Sequence, residues 1–135
     1  AQSDVKYICI NADEGDSGTF ADRVLMEGDP FTLIEGMAIS AIATGATHGY
    51  IYIRSEYPDA SAVMNAALDI AREHDWIGPS ILGSHHAFEI QVRVGAGSYV
   101  CGEETAMLES LEGKRGMVRP KPPIPALSGL FGKPT

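Results

Sequence analysis

Basic residues are scarce in this sequence: ten Lys and Arg stand against eighteen Asp and Glu, for a formal net charge of -8. That balance argues against a nucleic-acid partner, because neutralising phosphates requires clustered Lys and Arg. Cysteine is scarcer still. Cys9 and Cys101 are the only two, isolated and set in apolar surroundings, so neither a disulfide framework nor a cysteine metal box is expected. Long apolar runs are missing as well, and none nears the roughly 20 residues of a membrane span. The opening AQSDVKY has neither the basic stretch nor the apolar stretch of a secretory signal. There is no internal repeat and no low-complexity tract. What is present is ordinary for a globular chain, 44% hydrophobic and 21% charged over 135 residues, enough for one modest core. The expected location is cytoplasmic, with reduced thiols and no direct membrane insertion.

The hydrophobic pattern alternates between strand and helix. Lys6 to Asn11 (KYICIN) is a short apolar run of β-formers, which predicts a buried strand. An acidic, glycine-bearing turn follows, and Thr19 with Asp22 three residues on predicts a capped helix through Met26. Asp29-Pro30 is a second start signal, a capping acid before proline at the first helical position. That helix is expected to carry Leu33, Ile34, Met37, Ala38 and Ile42 and to stop at Gly45. Tyr50 to Ile53 predicts another strand buried on both faces. Pro58-Asp59 opens a helix expected to turn Val63, Ala67 and Ile70 inward. Phe88 to Val94 alternates, as an edge strand wet on one side does. Gly102 to Leu111 predicts a last short helix. The order implies an α/β fold with a mostly parallel sheet flanked by helices. Residues 1–113 are expected to form a partial α/β domain. Residues 114–135, rich in Pro, Gly and basic side chains, are expected to be largely irregular. The chain is expected to be incomplete at both ends.

Three constellations could carry chemistry. Asn11-Ala12-Asp13-Glu14-Gly15-Asp16 stands at the carboxyl end of the first predicted strand, where open parallel sheets bind ligands. An Asn amide can read the edge of a heterocycle, and carboxylates accept from sugar hydroxyls while repelling phosphate. A solvated acidic turn would use the same residues. The second constellation runs from Gly95 to Thr105 (GAGSYVCGEET), with glycines that permit close backbone approach. Its Glu103 and Glu104 fall in the first turn of a helix, where the macrodipole alone would favour them. The third is the tail with Lys114, Arg115, Arg119 and Lys121, which suits either a pyrophosphate or solvent. The four histidines are scattered and lack metal-ligand spacing.

Taken together, NADEGDSGTFADRVLMEGDP, HGYIYIRSEYPDA, VRVGAGSYVCGEETAMLESLEGKRGMVRPKPP and GLFGKPT resemble the flavin-bearing NADH subunit of respiratory complex I and its relatives. These include diaphorase subunits of NAD-reducing hydrogenases and beta subunits of NAD-linked formate dehydrogenases, and the GDSGT wording leans toward the last. The resemblance covers essentially the whole chain. It implies FMN and NAD as cofactors, hydride transfer between NAD(H) and FMN, and single-electron transfer to iron–sulfur centres. It further implies other subunits of a multisubunit redox complex as partners, with any peripheral membrane association made through them. By position, Asn11, Asp13, Glu14, Gly102, Glu103 and Glu104 match FMN contacts. Asp16 falls near the nicotinamide ribose, Glu104 and Lys121 line the NADH site, and Tyr99 lies beside the flavin. No catalytic side chain and no metal ligand is implied in this segment. Asp16 stands where many members have Glu, and Ile124 where some have an aromatic. The resemblance places a glycine-rich flavin loop before residue 1, and further flavin contacts and a cysteine cluster for an iron–sulfur centre after Thr135.

Two other readings compete with this one. A non-enzymatic remnant of the fold could dock on partner subunits, and a metal-dependent hydrolase could use Asp13, Glu14, Glu103 and Glu104, since hard cations favour carboxylates. The flavin reading requires the two acidic, glycine-bearing stretches to meet as walls of one slot.

Overall fold

The computed structural model describes residues 4–135. Three strands, β1 (Tyr7–Ala12), β2 (His48–Ile53) and β3 (Glu89–Val94), form one sheet in the order β1-β2-β3, and both pairings are parallel. Helices α1 (Ala21–Gly28) and α2 (Pro30–Thr44) connect β1 to β2, and α3 (Pro58–Glu73) connects β2 to β3. After β3 come a 3-10 turn (Tyr99–Gly102), α4 (Glu104–Leu111), the short α5 (Pro125–Ser128) and a second 3-10 turn (Leu130–Gly132). Among the described residues no helix is long and apolar enough to cross a membrane.

Side chains alternate across a strand, so each face of the sheet supports its own core. Ile8, Ile10, Ile51, Ile53 and Ile90 pack with Met26, Met37, Met64 and Leu68 under α1, α2 and α3. On the opposite face Tyr7, Cys9, Tyr50 and Tyr52 pack with Cys101, Met107, Leu108 and Leu130. The same alternation puts Asn11 on the α4 side, directly beside Tyr52 in register. Burial pushes the Cys9 thiol up to about 12, as expected for an inert core cysteine.

The α2 start signal holds: Asp29 accepts from the Thr32 amide, Pro30 opens the helix, and Gly45 closes it with φ 76°. Two other local expectations shift. Thr19 does not cap α1; its hydroxyl and amide both donate to the Asp16 carbonyl, at 2.7 and 3.2 Å, and the helix starts only at Ala21. In α3 the inward face is Ala60, Met64, Ala67, Leu68 and Ala71, while Ile70 is exposed. The alanines win because their small side chains let the helix lie close to the sheet. β3 buries Ile90 and exposes Gln91, Arg93 and Val94, so its alternation fades at the sheet edge.

The tail returns to the sheet more firmly than its composition predicts. Leu130 is fully buried, and Arg119 bonds to Glu109, to Glu112 at 2.7 Å and to the Gly129 carbonyl at 2.9 Å. At the other end of the core, Gly49 is required by contact. A Cβ there would lie 2.7 Å from Phe88 Cζ and 2.9 Å from Met37 Cε, both fully buried. Gly49→Ala is therefore expected to lower stability by about 1–3 kcal/mol through overpacking, read as a lower denaturant midpoint at unchanged slope.

Candidate functional site

The carboxyl end of β1 opens into a cleft of about 780 Å³, inside the range of small-molecule sites. One wall is Asn11, Asp13, Glu14, Gly15 and Asp16; the other is Tyr99, Val100, Gly102 and Glu103, with Thr19 and Asp22 at the rim. Glu104 and Lys121 stand next to this lining, Lys121 Nζ bonding Glu104 and lying 3.5 Å from Glu103 Oε1. A separate apolar groove of about 410 Å³ lies along α2 between Ile39, Trp76 and Leu82. Its polar residues all come from the start of α2, with Asp29 already accepting from the Thr32 amide and hydroxyl, whereas the β1 cleft gathers polar groups from distant segments and is the candidate site.

Asn11 joins the two walls. Its side-chain nitrogen donates to the Cys101 carbonyl at 3.3 Å and the Gly102 carbonyl at 2.9 Å, while Oδ1 accepts from the Asp13 amide at 3.1 Å. Both of its donors are thus committed within the protein, leaving one acceptor lone pair for a ligand. The mouth is spanned by Tyr99, whose hydroxyl donates to Asp16 Oδ1 at 2.7 Å. That bond to Asp16 raises the Tyr99 pKa. Gly15 lies under the Tyr99 ring, where a Cβ would sit 2.9 Å from Cδ2.

Asp13 is one of two buried polar residues among those described, and its Oδ2 has no hydrogen-bond partner. Burial is the main influence and pushes its carboxyl above the usual range, against the pull of the Arg54 guanidinium and with the repulsion of Glu56. An unpaired buried acceptor of this kind is a socket for a donor. Glu14 is spent differently. Its carboxylate accepts from the amides of Asp22 (2.9 Å) and Arg23 (3.4 Å), and from the Tyr57 hydroxyl at 3.0 Å. It therefore supplies the cap that Thr19 does not, with its charge at the positive end of α1. Arg54 donates to the Glu14 carbonyl and lies 5.3 Å from the Tyr57 ring centroid. Arg54 and Tyr57 had no local signal in the sequence, since each acts through a partner distant along the chain.

Glu103 is the N-cap of α4, with Oε2 accepting from the amides of Thr105 and Ala106, both at 2.9 Å. Burial, the largest single influence, pushes its carboxyl up. The Thr105 hydroxyl, the two amides and Lys121 together outweigh it and hold the carboxyl below its ordinary value. The whole arrangement favours hydroxyl and N–H donors and repels phosphate. Among the described residues no group of three His, Cys, Asp or Glu is placed to hold a metal.

Residues 1–131 match the family model described as the Nuo51 FMN-binding domain. The chain belongs to this family. One of the NADH-quinone oxidoreductase subunits of Rhizobium meliloti (strain 1021) is 56% identical over 130 residues, covering 96% of this chain and 31% of that protein. The NADP-reducing hydrogenase subunit HndC of Solidesulfovibrio fructosivorans is 52% identical over 134 residues, covering 99% and 27%. A chain in the crystal structure of NAD+-reducing [NiFe]-hydrogenase in the H2-reduced state superposes with a TM-score of 0.87 at 39% identity, covering 98% of this chain and 22% of that one. This member of the Nuo51 FMN-binding domain family thus spans less than a third of the curated relatives it matches. Its three-stranded parallel sheet with flanking helices is the fold of that family.

Proposed function

We propose that this chain forms part of the FMN- and NADH-binding core of an NADH:acceptor oxidoreductase flavin subunit, working inside a multisubunit redox complex. The observation that carries this reading is the buried, partnerless Oδ2 of Asp13 in the cleft where the two chain segments meet. A flavin nucleotide brings hydroxyls on its ribityl chain, the type of donor that this oxygen lacks. When bound, FMN supplies hydride acceptance from NADH and release of electrons one at a time to iron–sulfur centres.

The chain's own residues bind and orient. Asp13 accepts a ribityl hydroxyl, and the remaining Asn11 lone pair and Glu103 Oε1 accept further ligand donors. Gly102, without a side chain, leaves room for a planar ring at its backbone. Asp16 would meet the nicotinamide ribose at the mouth, giving up its Tyr99 donor for a ligand hydroxyl, and Tyr99 would lie beside the flavin. Glu104 and Lys121 flank the NADH approach, Lys121 offsetting part of the acidic charge. Glu14 acts on the ligand through the loop it fixes. The phosphates would need groups other than this acidic wall, because carboxylates repel them.

The flavin subunit that contains this chain is expected to be yellow and to lose its visible flavin absorbance when NADH is added without oxygen. A folded subunit that stays colourless with added FMN would leave the non-enzymatic docking role as the surviving reading. The 135-residue chain alone is expected to hold FMN weakly, because nothing in its acidic cleft suits a phosphate.

A further inference from the structure

Thr105 is the second buried polar residue among those described, 2% exposed, and does not itself line the cleft. Its hydroxyl donates to Glu103 Oε2 at 2.5 Å and accepts from the Arg119 amide at 2.9 Å. An amide can only donate, so the single hydroxyl proton of Thr105 has to point at Glu103. Arg119 is itself fixed in the tail, its guanidinium bonding Glu109, Glu112 and the Gly129 carbonyl. Glu103 Oε2 thereby receives three donors, from Thr105 N, Thr105 Oγ1 and Ala106 N. Oε1 receives none at hydrogen-bond distance from these groups. It is ion-paired with Lys121 at 3.5 Å. Glu104 shares that lysine, and Asp13 and Asp16 line the facing wall.

We propose that Thr105 and Arg119 are positioning residues that present Glu103 to the cleft as an ionised, one-oxygen acceptor for a hydroxyl or N–H of the bound cofactor. The proposal rests on the flavin reading for the identity of that cofactor, but the relay itself is a property of the protein. The tail thereby takes part in the site without lining it. Loss of the Thr105 hydroxyl removes one of three donors from Oε2 and strands the Arg119 amide. The carboxylate then turns more freely and ionises less readily.

The test uses Thr105→Val, which keeps the side chain's shape, and Thr105→Ser, which restores the hydroxyl. The Glu103 carboxyl is titrated by carbon-13 NMR in the full chain, with circular dichroism to check the fold. FMN affinity is measured by fluorescence quenching in the flavin subunit that contains it. Thr105→Val is expected to move the Glu103 midpoint up by roughly one pH unit and to weaken FMN about tenfold. Thr105→Ser is expected to return both to wild type. Should Thr105→Val fail to fold, Arg119→Gln carries the same measurements, with a shift in the same direction but smaller. A Glu103 midpoint unmoved in the folded variant overturns the relay, because a merely structural residue would lower stability without touching that titration. A shifted midpoint with FMN affinity unchanged overturns its link to the cofactor. Failure of the wild-type subunit to bind FMN, with the midpoint still shifting, counts against the flavin reading and leaves the relay standing.

Discussion

Asn11→Asp is expected to part the two walls of the cleft and to weaken FMN binding by a hundredfold or more. The substitution keeps size and shape but replaces two donors with acceptors. The new carboxylate would face the carbonyls of Cys101 and Gly102, now 3.3 and 2.9 Å from the amide nitrogen. Lost hydrogen bonds contribute about 1 kcal/mol each, and an ionised oxygen held against two carbonyls in this half-buried position adds electrostatic repulsion. A loss of about 3 kcal/mol follows, equivalent to roughly 10 °C in thermal midpoint for a domain of this size. Asn11→Ala, which removes the tie without adding charge, is expected to lose less of both. Equal flavin affinity in wild type and Asn11→Asp would show that the two segments are held together by something else.

Asp13→Asn is expected to split stability from binding: the unliganded chain becomes more stable at neutral pH while FMN affinity falls at least tenfold. The wild-type carboxylate is buried with Oδ2 unpaired, and burial raises its pKa above the unfolded value. A raised folded pKa means that the ionised group weakens the fold at neutral pH. The relative stability is fully present below the unfolded pKa and is lost as pH rises through the folded one. The neutral amide avoids that penalty, so a gain of about 1 kcal/mol is expected at pH 7, closing as pH falls through the carboxylate range. FMN affinity falls because an amide oxygen is a weaker acceptor for hydroxyls than a carboxylate. Urea unfolding at pH 7 and at pH 3.5, alongside flavin titration, separates the two effects. An Asn variant that is less stable at pH 7 would mean that the carboxylate has a partner after all.

Much of the fold was legible because its elements follow local rules. The Asp29-Pro30 start and the Gly45 stop of α2 depend on neighbours a few residues away, and both hold. The parallel arrangement follows from strands separated by helices, which bring each strand back in the same direction. Where a local rule failed, a distant group had replaced it. Thr19 is a good capping residue by type, but Glu14 reaches the α1 amides first and leaves Thr19 to bond the Asp16 carbonyl. In α3 the spacing of Val63, Ala67 and Ile70 is helical, as is that of Ala60, Met64, Ala67 and Ala71. Only the sheet beneath selects the second stripe.

The sequence by itself determined the residue types of the cleft, the acidic character that excludes phosphate from it, and the alternation of strand and helix that places it beyond β1. Those properties belong to single residues or to short windows. Tertiary structure alone decided which atoms stay free for a ligand. Asn11 spends both donors on carbonyls 90 and 91 residues away, Glu14 turns onto α1, Glu103 keeps one oxygen engaged only by Lys121, and Asp13 keeps one with no partner. A side chain's type fixes how many hydrogen bonds it can make, but folding fixes with whom, because partners so distant in sequence become neighbours only once the sheet has formed.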